Sequence, residues 1–269
     1  ELSTFLNQRS KDNPKIKLHQ RIENGGIAKA TNDSISLATG EFLVFLDQDD
    51  LLSPIALAEF AHYVKRFPST DLIYSDDDKI DVDGRHYSPQ FKPDWSPELL
   101  LSYCYISHAK VVRSSLSKQI GHFREGYDGS QDYDYLLRLT EKCRTIGHIS
   151  KILYHWRALP SSTAFDAGSK PYSFAAGKKA VADAFERRNV ICTVEQPVWA
   201  QDERLGIFLP VFPHQGPDVT ILIPTRNNLK FLKNCLESLK KTAYRNYTIT
   251  ILDNDSDDES TLDYLENLS

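Results

Sequence analysis

Residues Phe42-Leu43-Val44-Phe45-Leu46 run straight into Asp47-Gln48-Asp49-Asp50, so that five apolar side chains are followed at once by three carboxylates. The run is too short for a helix and rich in β-branched and aromatic side chains, which predicts a strand buried on both faces. Such a strand belongs to a parallel sheet covered by helices. Ligands of those sheets bind beyond the carboxyl ends of the strands, where Asp47, Asp49 and Asp50 stand. Clustered carboxylates repel one another unless a cation or strong donors hold them. Hard oxygen donors suit Mg²⁺ or Mn²⁺, whose remaining positions can go to substrate phosphates. A plain acidic loop leading into a helix at Ser53-Pro54 would carry the same residues, and the triplet alone leaves both readings open.

A chain of 269 residues, 41% hydrophobic and 26% charged, has the composition of an ordinary globular protein. Its length suits one large domain or two smaller ones. A net charge of −5 with no long basic run argues against a nucleic-acid partner. No apolar stretch approaches the length of a membrane span and no signal peptide opens the chain. Cys104, Cys143, Cys192 and Cys235 are scattered without a CxxC pair, as expected of reduced, mostly buried thiols. The expected location is cytoplasmic, or peripheral at the inner membrane face. The sequence contains no Met and starts inside a helical pattern, so it reads as an internal piece of a longer chain.

Apolar spacing predicts a short helix around Leu2, Phe5 and Leu6 and a short strand over 16–19. Asn24-Gly25-Gly26 opens a helix through Ala28, Ala30, Ile35 and Ala38, which Gly40 stops. A helix over 52–67 precedes a strand over 71–75 that ends in Asp76-Asp77-Asp78, read as a solvated turn or as lining for the acceptor side. Val82-Asp83-Gly84-Arg85 predicts a hairpin turn. Further elements are expected at 99–105, 110–112, a helix over 133–141, a strand over 149–155, a helix over 170–188, and strands over 190–200 and 205–212. Pro213-His214-Gln215-Gly216-Pro217 is a Pro/Gly linker and the best boundary. After it, a strand over 219–223, a helix over 229–240 and a strand over 247–252 ending in Asp253-Asn254-Asp255 start an α/β unit.

These segments together resemble family-2 glycosyltransferases with the GT-A fold, an α/β, Rossmann-like nucleotide-sugar domain with a mostly parallel central sheet. The resemblance rests on Asn24-Gly25-Gly26-Ile27-Ala28-Lys29-Ala30-Thr31-Asn32, Gly40-Glu41-Phe42 into Asp47-Gln48-Asp49-Asp50, Phe91-Lys92-Pro93-Asp94-Trp95-Ser96-Pro97, Gly129-Ser130-Gln131-Asp132-Tyr133-Asp134 and Leu153-Tyr154-His155-Trp156-Arg157, in that order. From Val219 the chain resembles the start of a second such domain, through Pro224-Thr225-Arg226-Asn227 and Ile251-Leu252-Asp253-Asn254. Bacterial rhamnosyltransferases of surface polysaccharide synthesis carry such domains in tandem.

The family's nucleotide-binding strands match only residues after 219, so the first domain lacks its own copy. The expected organisation is a GT-A domain over 1–165 without its first strands, a helix-and-strand connector over 166–216, and the opening of a second domain over 217–269. Tyr264-Leu265-Glu266-Asn267 echoes Phe5-Leu6-Asn7-Gln8, as if the chain were one period of a tandem repeat. One expectation is a pseudo-permuted domain completed by 217–269, within the chain or in a domain-swapped dimer, since open sheet edges favour pairing. A loosely folded tail is the other.

The resemblance implies transfer of a sugar from a UDP- or dTDP-sugar donor, a nucleoside-diphosphate sugar, to a hydroxyl of a glycan or lipid-linked acceptor, with inversion. It assigns Asp49 and Asp47 to Mn²⁺ or Mg²⁺, with Asp47 also toward the ribose, and Asp50 to a helix cap or a supporting place. Asp132 matches the family's base, with Gln131 standing where Glu is common and Asp134 pointing elsewhere. His155 and Arg157 match residues that contact the diphosphate or metal. Asn24 and Asn32 fit the loop and helix near the nucleotide, and Thr225, Arg226 and Asp253 the nucleotide loop and base-binding acid. Gly25 and Gly26 serve the turn, and Trp95 stacks on an acceptor sugar or fills the core. A nucleotidyltransferase-like Mg²⁺ enzyme or an inactive fragment of a tandem enzyme is the alternative. No P-loop, strand-linked GxGxxG, zinc spacing or GxSxG supports other classes.

Overall fold

The computed structural model describes residues 2–158 and 172–268, which divide between two units, 1–211 and 212–269. The first contains α1 (Leu2–Asp12), α2 (Gly26–Leu37), β1 (Phe42–Val44), β2 (Leu51–Leu52), α3 (Ala56–Arg66), β3 (Leu72–Ile80), β4 (His86–Gln90), α4 (Pro97–Ser102), β5 (Lys110–Arg113) and α5 (Ser114–Ile120). It continues with α6 (Gln131–Thr140), β6 (Ile146–Arg157), α7 (Tyr172–Arg187), β7 (Thr193–Glu195), α8 (Val198–Asp202) and β8 (Leu209–Val211). The second contains β9 (Val219–Thr225), α9 (Leu229–Leu239), β10 (Tyr247–Asp253) and α10 (Glu259–Glu266).

The main sheet of the first unit runs β1-β5-β3-β6-β2, with β4 added beside β3. Its spine is the long parallel pair β3·β6, registered from Leu72↔Ile146 to Ile80↔Arg157. The other pairs, β1·β5, β3·β5, β3·β4 and β2·β6, are antiparallel. The α/β class stands, while the expected mostly parallel sheet is corrected to a mixed one. For β4 connectivity is the reason: it returns from β3 through a tight hairpin, which permits only antiparallel pairing, whereas parallel pairing needs a crossover. In the second unit β9 and β10 do pair in parallel, from Tyr247↔Val219 to Asp253↔Thr225, across helix α9.

Strand alternation sends Leu72 and Tyr74 into one hydrophobic cluster with Leu136, Leu137, Val181 and Phe208, and Ile73 into another with Phe60, Val111 and Leu153. Each such side chain, taken wholly out of water, contributes about 1.5–3 kcal/mol. Helix α7, within the stretch expected as a connector, belongs to the first cluster through Ala180, Val181, Ala184 and Phe185.

Several elements differ from expectation. Residues 16–19 form no strand; three of the four are exposed. The 42–46 run pairs only over Phe42–Val44 and is half-buried, with Leu46 49% exposed, because β1 is the last strand of the sheet and has one neighbour. Pro197 precedes α8, so 198–200 is helical where a strand was expected. Asp76, Asp77 and Asp78 lie inside β3 and are 3–5% exposed, not in a solvated turn. The four cysteines are unpaired thiols, three half-buried at the core's margin and Cys235 exposed. No described helix is long and apolar enough to cross a membrane.

Asp71 anchors the start of β3. Its carboxylate accepts hydrogen bonds from Nε, Nη2 and the backbone N–H of Arg144 at 3.0, 2.8 and 2.9 Å, and from Nε of Arg113 at 3.2 Å. The Arg144 hydrogen bonds, aided by the charges of both arginines, hold this carboxyl below the ordinary range against the opposing pull of burial. A depressed carboxyl stabilises the fold above its unfolded-state pKa of about 3.9, and that contribution disappears as pH falls through the lower folded-state value. Asp71→Asn is expected to lower stability at neutral pH and to flatten the acid limb below about pH 4, as read from urea melts across pH.

Candidate active site

The acidic loop begins where β1 ends. Phe45 fixes the exit, its ring 5.8 Å from both Phe123 and Tyr135. The chain then turns, with the Asp50 N–H donating to the Asp47 carbonyl at 3.2 Å. Strand β6 holds this turn. The Tyr154 hydroxyl donates to Oδ2 of Asp50 and accepts the Asp47 N–H at 3.3 Å. The Arg157 N–H donates to Oδ1 of Asp50 at 2.8 Å, and its Nε donates to the Asp49 carbonyl at 2.7 Å. Burial pushes the Asp50 carboxyl up to about 6, against the hydrogen bonds from Tyr154 and Arg157. Asp50 thus supports the loop, but it caps no helix, since Ile55 is the residue before α3 and that helix start has no side-chain cap. Asp47 is half-exposed, with Nε2 of His108 3.9 Å from its Oδ2.

A cavity of about 720 Å³ opens beside this loop, between α2, β1 and the start of α6. Asp47, Lys110, Gln131 and Asp132 bring polar groups to it; Ile27 and Phe123 are among its apolar lining. Gly129 sets up the start of α6: its φ is +80°, and a Cβ there would lie 2.6 Å from that of Ser173. Ser130 follows as the residue before the helix, so Gln131 and Asp132 emerge in the first turn, where the helix dipole favours a carboxylate. Oδ1 of Asp132 is 3.3 Å from the Lys110 ammonium. Lys110 is itself 1% exposed, donates to the Ser107 carbonyl at 3.2 Å and sits 5.7 Å from the Phe45 ring centroid. Oε1 of Gln131 is buried without a hydrogen-bond partner among the described residues. Asp134 points away from the cavity, as expected, into a wholly buried carboxylate site between Arg124 and Arg138.

The loop that delivers His108 and Lys110 is tied down by Lys92. Its ammonium lies 2.6 Å from Oδ2 of Asp77 and donates to the carbonyls of Ile106, at 2.8 Å, and His108. Burial pulls the Lys92 ammonium below the ordinary lysine range and Asp77 pushes it back. Pro93, Trp95 and Ser96 of the Phe91-to-Pro97 motif are also structural, while Phe91 is exposed. The Pro93 carbonyl accepts from the Tyr74 hydroxyl at 2.7 Å, Trp95 packs on the core, and Ser96 caps α4. His108 stacks on Tyr154 at 4.7 Å, and burial holds its imidazole neutral, well below the ordinary histidine value.

Of the residues expected at the site, the cavity gathers Asp47 and Asp132, with Asp49 two positions along the loop. Arg157 reaches the loop's backbone as an anchor. His155 instead meets Asp78, Nδ1 to Oδ1 at 2.6 Å. Asn24 caps its own turn by accepting the Gly26 N–H at 2.9 Å. Asn32 ties α2 to the 121–127 loop through two hydrogen bonds with the Phe123 backbone, at 3.0 and 2.8 Å. Both asparagines are therefore structural ties here. Thr225 and Asp253 pair across β9 and β10 in the second unit, with Arg226 next in chain, and the Asp253 carboxylate accepts from Ser256 Oγ at 2.5 Å. Sequence reading missed Lys110, Lys92 and His108. A lysine in the apolar run Ala109-Lys110-Val111-Val112 was the available signal, because a buried lysine needs a partner.

The profile of the family described as glycosyl transferase family 2 matches residues 2–121 and 220–269. An uncharacterized protein, y4gI, of Sinorhizobium fredii is 37% identical over 270 residues, covering 98% of this chain and 29% of that protein. The O-antigen biosynthesis protein RfbC of Myxococcus xanthus is 33% identical over 267 residues, covering 98% of this chain and 20% of that protein. The chain thus spans less than a third of the length of these curated relatives. Among solved structures, S. aureus TarS 1-349 superposes with a TM-score of 0.52 at 19% identity, covering 69% of this chain and 52% of that one, a likeness of fold.

Lys92→Met leaves Asp77 buried without its cation, and is expected to cost roughly 3–5 kcal/mol of stability. Adding Asp77→Leu should recover most of that loss, as measured by urea melts of the single and double variants.

Proposed function

We infer sugar transfer from a plain premise: this chain belongs to glycosyl transferase family 2. The reading is movement of a glycosyl group from a nucleoside-diphosphate sugar, a UDP- or dTDP-sugar, to a hydroxyl of a growing glycan or lipid-linked acceptor in surface polysaccharide synthesis. One observation carries it: a single cavity of about 720 Å³ holds a half-exposed acid from the acidic loop and a carboxylate at a helix start paired to a buried ammonium.

Asp132 is the base. As the acceptor oxygen forms its bond to the anomeric carbon, the hydroxyl proton passes to Oδ of Asp132 and the bond to the diphosphate breaks. One displacement of this kind inverts the anomeric centre. Lys110 holds the Asp132 carboxylate in its orientation, 3.3 Å away. Asp47 and Asp49 would hold a divalent ion: both are carboxylates on one anchored turn, and Asp49 makes no side-chain hydrogen bond or ion pair among the described residues. Such an ion, Mn²⁺ or Mg²⁺, neutralises charge on the departing diphosphate when bound. Exchange of residues 217–269 between two copies is a further proposal, supported by the free edges of β1 and β9 in their own sheets; a monomer in sedimentation overturns it.

Calorimetric titration with UDP and dTDP, with and without Mn²⁺, tests the donor site. Metal-dependent binding that Asp49→Ala abolishes is the expected result, and no binding by the folded chain overturns the reading for this chain. Asp132→Asn should keep nucleotide binding while transfer falls by about 10²-fold or more. Lys110→Met should lower transfer by about tenfold or more, equivalent to about 1.4 kcal/mol of barrier.

A further inference from the structure

The three successive acids of β3 are all buried, and each has found a different partner. Asp77 takes Lys92, and Asp76 takes His148, at 2.8 Å, and the Lys92 N–H. Asp78 takes two histidines from two other strands. Its Oδ2 lies 2.8 Å from Nδ1 of His86, and its Oδ1 lies 2.6 Å from Nδ1 of His155. The two rings meet edge to face with centroids 4.6 Å apart. One ligand atom from each of the three residues lies within 4.8 Å of the others.

Rigid backbone delivers all three. Asp78 stands opposite His155 in the parallel β3·β6 pair. His86 comes back across the hairpin, where it pairs with Ile80. That turn is fixed by Oδ1 of Asp81, which accepts the N–H groups of Asp83 and Arg85 at 2.9 and 2.8 Å, and by Gly84 at φ +78°. The cluster is separate from the cavity of Asp132, which none of the three residues lines. Neighbouring residues leave a strand on opposite faces: Tyr154 turns to Asp50 in the acidic loop, and His155 turns to Asp78.

We propose that Asp78, His86 and His155 bind one divalent transition-metal ion of the zinc class, with a fourth position open to solvent. Two imidazoles and one carboxylate are a donor set for zinc and its neighbours, not for Mg²⁺ or Ca²⁺, which prefer oxygen. Tetrahedral bonds of about 2.0–2.1 Å put ligand atoms about 3.3 Å apart. The two hydrogen-bond contacts, 2.8 and 2.6 Å, therefore open by about 0.5–0.7 Å when an ion takes the place of the two Nδ1 protons and each ring adopts its Nε2–H tautomer, and ligand atoms now up to 4.8 Å apart draw together. His86 is 55% exposed on its side chain, so an ion can enter. The ion would fasten β4, otherwise the exposed arm of the hairpin, to β3 and β6. It would also stiffen β6 two residues before Arg157, the anchor of the acidic loop. The site does not depend on the sugar-transfer reading.

The test is calorimetric titration of the chelator-stripped full chain with ZnCl₂ in excess MgCl₂, which occupies oxygen-only sites. Expected are one Zn²⁺ per chain, a higher melting temperature with Zn²⁺, and affinity at least tenfold weaker in His86→Ala but unchanged in Asp49→Ala. His86 lies at the exposed edge, so its variant keeps the fold, and His155→Ala provides a second reading. Absent Zn²⁺ binding, equal affinity in His86→Ala and the parent chain, or loss in Asp49→Ala alone would each overturn the proposal.

Discussion

A carboxylate taken out of water must be given a cation or a set of donors. Strand β3 places three in succession at the centre of the sheet, and much of the first unit is arranged around satisfying them. Lys92 answers Asp77, and its remaining donors fix the loop carrying His108 and Lys110. His148 answers Asp76 and stacks on Tyr74, which in turn holds Pro93. His155 answers Asp78 from the strand whose Tyr154 and Arg157 clamp the acidic loop. The long β3·β6 pair is therefore both the spine of the sheet and the frame of the candidate site.

This arrangement separates the residues proposed to touch substrate from those that place them. Tyr154 and Arg157 hold the acidic loop by its backbone and by Asp50. Asp132 depends on the turn at Gly129 and on a helix start whose next acid, Asp134, is locked between two arginines. Such a frame allows a cavity to hold charged groups without surrendering their orientation, because each anchor is itself packed or hydrogen-bonded.

Much of this was legible in the chain. Phe42 through Asp50 announced a strand and an acidic turn, the hairpin at Gly84 followed from local turn chemistry, and Asp132 at a helix start followed from the family resemblance. The 219–252 segment read directly as a strand–helix–strand, because its period and its turn residues are local properties, and the structure pairs its strands in parallel. What failed to show was direction and depth. Three consecutive aspartates read as solvated in one dimension, since the sequence does not show which groups face them; their partners range from His86, eight residues from Asp78, to His155, about 80 residues away. Likewise the two hydrogen bonds between Asn32 and the Phe123 backbone could not be seen in the sequence.

The sequence by itself determined the class of fold and most of the run of elements, because strand periodicity, turn residues and motif order are encoded within short windows. Tertiary structure alone decided that β1 is a half-buried edge strand, that Lys110 meets Asp132, and that His155 turns to Asp78 rather than into the cavity. The physical reason is that pairing a buried charge is a long-range choice. Strand register and crossover connections select the partner, and neither leaves a mark in the residues beside it.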